Sequence, residues 1–231
     1  METAAFFSQL DERIKRYDLL CHPFYQAWSA GKLTREDLRE YGESYYPHVQ
    51  AFPTYLAQLG MRLEDGELRR AVLANMADEK GGEDLFGQPD CSHAELWMDF
   101  VAGMGGRRIA KGERVREVSD LIEFFSSVAG EGTAEEALAA FYAYESQVPR
   151  IAGEKNRGLR DLYRADEKTR AYFILHTTAD VYHSLVWRNL LGQLVAANPK
   201  TAGKALAAAE SAARKLWNAL DGIESRRLAA A

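Results

Sequence analysis

The stretch Ile174-Leu175-His176-Thr177-Thr178-Ala179-Asp180-Val181-Tyr182-His183 sets two imidazoles and a carboxylate at intervals of four and three. An α-helix turns about 100° per residue, so positions i, i+4 and i+7 fall within an arc of roughly 60° and point the same way. Read as helix, the stretch places His176, Asp180 and His183 on one face. Two neutral imidazoles and one carboxylate suit a first-row transition ion such as iron or manganese, with coordination positions left open for oxygen or substrate. A purely structural hydrogen-bonded cluster has the same spacing, so the meaning of the trio depends on what the rest of the fold brings to it.

Outward from this stretch, apolar residues recur at three and four, as in Phe6, Leu10, Ile14 and Tyr17, and two-residue alternation is absent. The expected fold is all-α: a compact bundle of about seven or eight helices in a single domain over residues 1–231. Thr34 with Asp37, Ser92 with Glu95 and Thr133 with Glu136 read as capping boxes that start helices. Gly81-Gly82, Gly130 to Gly132 and Asn198-Pro199 read as stops. The predicted helices cover about 4–20, a short segment after His22-Pro23, 35–60, 67–80, 93–103, 114–129, 134–162, 167–196 and 201–226, followed by a frayed tail. Pro47 and Pro53 should bend or break the third segment, and Pro149 should kink the segment 134–162. Residues 81–92 form the most evident loop.

Composition narrows the function classes. The chain has 231 residues, 47% of them hydrophobic, with 29 basic and 34 acidic side chains and a net charge of −5. That length and apolar content support one substantial core. No basic arm is present to neutralise a phosphate backbone, so nucleic acid is not an expected partner. No run of 18 apolar residues or signal-like start occurs, so no membrane association and a cytoplasmic location are expected. Cys21 and Cys91 lack C-x-x-C spacing and are expected to be ordinary buried or half-buried thiols.

Helical bundles build metal sites from carboxylates and imidazoles that project inward from facing helices. Glu145 stands in the apolar run Phe141-Tyr142-Ala143-Tyr144-Glu145, where burial demands a cation or a hydrogen-bond partner. Glu79 ends one predicted helix and His93 begins the next. Glu79, His93, Glu145, His176, Asp180 and His183 together offer enough donors for two metal ions. Each has a blander reading: Glu145 paired to Arg150 or Arg157, Glu79 as an exposed helix end. His22 and His48 are left outside the ligand set. Tyr41, Tyr45, Tyr46, Phe52 and Tyr55, with Phe24, Tyr25 and Trp28, form an aromatic concentration. It reads first as bulky core, and second as tyrosines that an oxygen-activating metal could oxidise.

The segments FYQAWSAGKLT (24–34), YGESYYPHVQAFPTYL (41–56), ADEK (77–80), SHAELW (92–97), YAYESQVPRIAGEKNRG (142–158) and HTTADVYH (176–183) resemble the chlamydial death-domain-associating protein family. That family is similar in fold to TenA, PqqC and haem oxygenase, and the match runs in order over roughly residues 6–190. The resemblance implies a helical bundle around a dinuclear iron or mixed iron and manganese centre held by Glu79, His93, Glu145, His176, Asp180 and His183. It also implies an oxygen-dependent oxidase that makes 4-aminobenzoate, a folate precursor, from one of its own tyrosine side chains. Tyr25 corresponds to the sacrificed tyrosine and Lys155 to the lysine implicated as the nitrogen source. Tyr41 and Tyr144 match tyrosines that could relay oxidation. An external reductant is implied without its identity, and a homodimer is consistent with the family. The segment between Glu79 and His93 is longer here, with GEDLFGQPDC interposed. No motif supports the death-domain interaction that names the family.

Alternatives remain open at this level. A related dimetal oxidase acting on a bound fatty acid or amino-acid derivative would share the ligands without needing Tyr25 or Lys155. A non-catalytic interaction protein would keep the metals for structure alone. A metal-free enzyme of PqqC or TenA type is a third, against which six matched ligands argue.

Overall fold

The computed structural model of the chain describes residues 2–82, 91–107 and 115–230. The helices are α1 (Thr3–Lys15), α2 (Pro23–Ser29), α3 (Arg35–Arg62), α4 (Glu67–Lys80), α5 (His93–Gly103), α6 (Arg116–Gly130), α7 (Ala134–Glu145), α8 (Val148–Asp161), α9 (Glu167–His176), α10 (Ala179–Ala197) and α11 (Ala202–Ala230). Short 3-10 turns occupy Leu19–Cys21 and Pro199–Thr201. No strand is present among the described residues, as the apolar periodicity predicts.

All three capping boxes form: Thr34, Ser92 and Thr133 each accept from the backbone N–H three residues on, and Asp37, Glu95 and Glu136 return the bond. Each satisfies donors that the first turn of a helix leaves unpaired. α3 packs on α4, α5 and α6, α5 on α9, α8 on α9, and α7 on both α10 and α11. Buried residues from all of these merge into one continuous apolar cluster. Two glycines permit close approaches that matter below. A Cβ on Gly42 of α3 would meet Val101 at 2.8 Å, and its carbonyl accepts from Trp97 Nε1 at 2.8 Å. A Cβ on Gly158 of α8 would meet the Trp28 indole at 3.0 Å.

Several boundaries differ from the sequence reading, for local reasons. α3 runs through Pro47 and Pro53 without interruption, since burial of Tyr41, Tyr45, His48, Phe52, Tyr55 and Leu59 along one face outweighs two lost backbone bonds. The segment 134–162 is two helices, broken at Ser146-Gln147 with Pro149 in the first turn of α8, a position where its missing N–H is harmless. The segment 167–196 is broken at Thr177-Thr178, whose hydroxyls turn back onto the carbonyls of Ile174 and Leu175 and compete with the helix. His176 therefore ends α9 while Asp180 and His183 begin α10, so the founding trio does not lie on one continuous helix. The first helix stops at Lys15, before the turn at Leu19–Cys21. The last helix extends to Ala230 instead of fraying after 226. Cys21 and Cys91 are exposed, not buried. Most of the predicted loop 81–92 lies outside the described residues.

Candidate metal centre

The interruptions in the helices are where the chemistry gathers. Glu79 is the penultimate residue of α4, His93 the first of α5, Glu145 the last of α7, His176 the last of α9 and Asp180 the second of α10. Glu79, His93 and His176 bring ligand atoms within 4.8 Å of one another, and so do Glu145, Asp180 and His183. All six are buried, with Glu79 at 6% and Glu145 at 1% exposure. The trio read from the sequence is thus divided: His176 belongs to one triad, Asp180 and His183 to the other. Arg150 and Arg157 are occupied by Asp18 and Glu154, which removes the simple salt bridge for Glu145.

The donors are arranged for cations. Burial, with the Asp180 carboxylate alongside, pushes the Glu145 carboxyl well above the usual range. Oδ2 of Asp180 and Nδ1 of His183 are buried without hydrogen-bond partners. Nδ1 of His93 lies 2.8 Å from Glu79 Oε2 yet makes no aligned hydrogen bond, as two donors turned on a common point would. Buried unpaired lone pairs and facing carboxylates are each costs of about 1–3 kcal/mol, and a divalent cation in each triad relieves them. Three imidazoles and three carboxylates are a donor set that iron and manganese accept. The residues present fit a pair of such ions.

Neighbouring groups fix the ligands. His176 Nδ1–H donates to the Tyr172 carbonyl at 2.6 Å, which leaves Nε2 as the donor atom. His183 Nε2 bonds Asp78 at 3.2 Å, which turns Nδ1 inward. Burial opposes charge on His183, but Asp180, Glu145 and Asp78 outweigh it and raise its pKa to about 9. Asn75 donates to Glu145 Oε1 at 3.2 Å, and the Trp187 indole N–H donates to its other oxygen.

Beside the triads lies a second buried set. Tyr25 and Tyr41 share a hydroxyl hydrogen bond of 2.8 Å. Lys155 Nζ sits 3.0 Å from the centre of the Tyr25 ring and 3.9 Å from that of Trp28. The close approach at Gly158 brings α8 near enough for this contact. Burial pulls the Lys155 ammonium well below the usual lysine range. Tyr25, Tyr41 and Lys155 line a cavity of about 30 Å³. Glu79, Glu145, His176 and Asp180 line one of about 10 Å³. Tyr144 and Tyr172 line both and form the wall between them.

That wall is part of a run of phenols. Tyr172 stacks on His176 with centroids 3.9 Å apart and lies in the same wall as Tyr144. Tyr144 and Tyr45 line the same chamber, Tyr45 stacks on Tyr41 at 5.8 Å, and Tyr41 reaches Tyr25. Burial raises the pKa of every member, so each rests as a neutral phenol.

Comparison with known proteins places the chain in a family. Residues 39–217 match a family described as iron-containing redox enzyme. The chain belongs to that family. Among curated relatives, it is 35% identical to a 4-aminobenzoate synthase from Nitrosomonas europaea, over 96% of this chain and 92% of the relative. It is 33% identical to a 4-aminobenzoate synthase from Chlamydia pneumoniae, over 93% and 92%. A solved TenA homologue from Pseudomonas syringae pv. tomato superposes with a TM-score of 0.79 at 18% identity, over 97% of this chain and 96% of that one. The fold is that of TenA and haem oxygenase.

Within this iron-containing redox family, the structure brings together all ten residues singled out in the sequence: the six donors in two triads, and Tyr25, Lys155, Tyr41 and Tyr144 in and beside the adjoining chamber. Sequence reasoning missed the groups that hold them. Trp187 was discoverable, because it continues the face of Asp180 and His183 at intervals of three and four. Tyr172 stands one turn before His176 and carried a similar signal. Asn75 and Asp78 gave none, since their roles depend on how α4 meets α7 and α10.

Proposed function

We propose that the protein is an oxygen-dependent dimetal oxidase that makes 4-aminobenzoate by removing and aminating the side chain of its own Tyr25. The single observation that carries the proposal is Lys155 Nζ at 3.0 Å from the Tyr25 ring, both buried, in a chamber walled from the metal donors by two tyrosines. Reactive nitrogen and ring are already at contact distance, which is the positioning that intramolecular reactions exploit.

Glu79, His93 and His176 on one side and Glu145, Asp180 and His183 on the other would hold a dinuclear iron or mixed iron and manganese centre, which with an external reductant would supply the reduction of molecular oxygen. The chain's own residues do the rest. Tyr172, Tyr144, Tyr45 and Tyr41 give a contiguous path of phenols toward Tyr25. Lys155 contributes an amine whose burial favours the neutral, nucleophilic form. Its Nζ–Cε bond breaks as nitrogen replaces the ring oxygen of Tyr25, and molecular oxygen with the external reductant meets the oxidation of the tyrosine Cβ to a carboxylate. Tyr25 loses its side chain, so each chain acts about once.

Cavity size supports self-substrate over an external one. The chamber at Tyr25 measures about 30 Å³, room for about one water, whereas sites for organic ligands run to roughly 300–1,000 Å³. A fatty acid or amino-acid derivative has no place there. The test supplies purified protein with iron, manganese, reductant and oxygen, and no organic substrate. 4-Aminobenzoate should appear, with a matching mass loss in the peptide that contains Tyr25. Oxygen consumption by metal-loaded protein with Tyr25 intact would assign the centre to another substrate.

A further inference from the structure

Tyr25 and Trp28 stand three residues apart on α2, and Lys155 and Gly158 stand three apart on α8. Residues at this spacing share one face of a helix, so each helix presents a pair to the other, and the pairs interlock. Lys155 Nζ lies 3.0 Å from the centre of the Tyr25 ring and 3.9 Å from that of Trp28, while the two ring centres are 6.5 Å apart. The amine is therefore wedged between the rings, near the line that joins them. One turn further along α8, Gly158 gives way to the indole: a Cβ there would meet both Cδ1 and Nε1 of Trp28 at 3.0 Å.

Trp28 stands as a post. It is 1% exposed, stacked on Phe100 at 6.0 Å and edge-on to Tyr41 at 5.6 Å and Phe173 at 6.0 Å between centroids. An interior packed in this way transmits a displacement instead of absorbing it. Lys155, by contrast, carries its amine on a flexible four-carbon stem and borders the chamber of about 30 Å³ beside Tyr25. Burial alone does not decide where the nitrogen stands. The Tyr25 ring is fixed at its hydroxyl end, 2.8 Å from the hydroxyl of Tyr41. The nitrogen is what remains to be fixed, and the indole is the group on its far side.

We infer that Trp28 is a positioning residue for the amination of Tyr25: seated against Gly158, the indole holds the Lys155 amine on the face of the Tyr25 ring. The inference rests on reading the protein as an oxidase that aminates its own tyrosine. It adds no bond-making step to that reaction and concerns where the nitrogen stands before oxygen is consumed. Misplacing a reacting group by about 1 Å costs on the order of 10²-fold in rate. An amine free to leave the ring face lets oxygen be consumed without nitrogen transfer.

The test compares wild type with Trp28→Phe and Gly158→Ala. The first withdraws the post and keeps an aromatic ring, and the second pushes the post with a methyl group for which its seat has no room. Metal-free proteins grown with ¹³C-labelled lysine report position by nuclear magnetic resonance, because ring currents shift the protons beside a lysine nitrogen upfield when it lies on aromatic faces. Wild type should show one such lysine, absent from Lys155→Met, and the shift should shrink in both variants. Loaded with iron and manganese and given reductant and oxygen, the variants should bind metal and consume oxygen as wild type does. Their yield of 4-aminobenzoate per oxygen consumed should fall, on the order of 10²-fold for Trp28→Phe and less for Gly158→Ala. A purely structural role lowers oxygen uptake and product together and leaves their ratio unchanged. An unchanged ratio in the variants that fold, with wild-type product formation intact, overturns the role of Trp28 alone. A wild-type protein that makes no 4-aminobenzoate overturns the underlying reading as well.

Discussion

At Lys155, two opposing effects decide the charge of the amine. The Tyr25 and Trp28 rings at 3.0 and 3.9 Å favour an ammonium, by about 0.5–2 kcal/mol for contacts of this kind. Complete desolvation costs a buried ion several kcal/mol. Desolvation prevails, and the pKa falls well below 10.5. The sign of the consequence follows: the unfolded chain binds a proton that the folded chain lacks, so this residue's penalty shrinks as pH rises toward 10.5. Metal-free Lys155→Met should therefore be more stable than wild type at neutral pH. The gap should close with rising pH by up to about 1.4 kcal/mol per unit. Chemical denaturation of both proteins from pH 7 to 10 measures it. A gap independent of pH would mean a charged lysine in the fold, unsuited to attack on a ring.

Among the elements, the breaks in the helices were the least legible feature and are the most consequential. The capping boxes at Thr34, Ser92 and Thr133 were readable because their bonds are local. The end of α9 was not read at all, because the local bonds of the Thr177 and Thr178 hydroxyls to Ile174 and Leu175 do not disturb the apolar periodicity. The kink expected from Pro149 fell at Ser146-Gln147, a place set by contacts made elsewhere. Gln147 shows how. Its side chain accepts from Leu19 N–H and donates to the Ala143 carbonyl, both at 3.1 Å, clamping the end of α7 to the turn that leads into α2 and Tyr25. Gln147→Leu strands both backbone groups in the interior and should cost about 1–3 kcal/mol, read as a lower urea midpoint. A midpoint equal to wild type would show that the break stands without this clamp. His22 ties the same region from the other side: its Nδ1 accepts from Phe24 N–H while Nε2 reaches Asp221 of α11 at 3.0 Å. The six candidate donors, by contrast, were legible as residue types, Glu145 as a carboxylate amid apolar helix and His176, Asp180 and His183 by their spacing. Their partition into two triads was not, since it follows from the break after His176.

For the whole molecule, the bundle encloses what an ordinary enzyme leaves open. The candidate metal donors, the tyrosines, the Lys155 amine and the Tyr25 ring are all buried around cavities of about 10 and 30 Å³, and in the proposed reaction α2 supplies the ring in place of a diffusing substrate. The fold shared with TenA proteins accounts for the scaffold but not for the chemistry, which the proposed function assigns to Tyr25 and Lys155. The central claim is that the product is part of the chain. Protein biosynthesised with ring-labelled tyrosine, loaded with iron and manganese and exposed to oxygen and reductant in unlabelled buffer, tests it directly by mass spectrometry of the released 4-aminobenzoate. The account predicts fully labelled product, at no more than about one molecule per chain. Unlabelled product, or product formed many times over per chain, would contradict it.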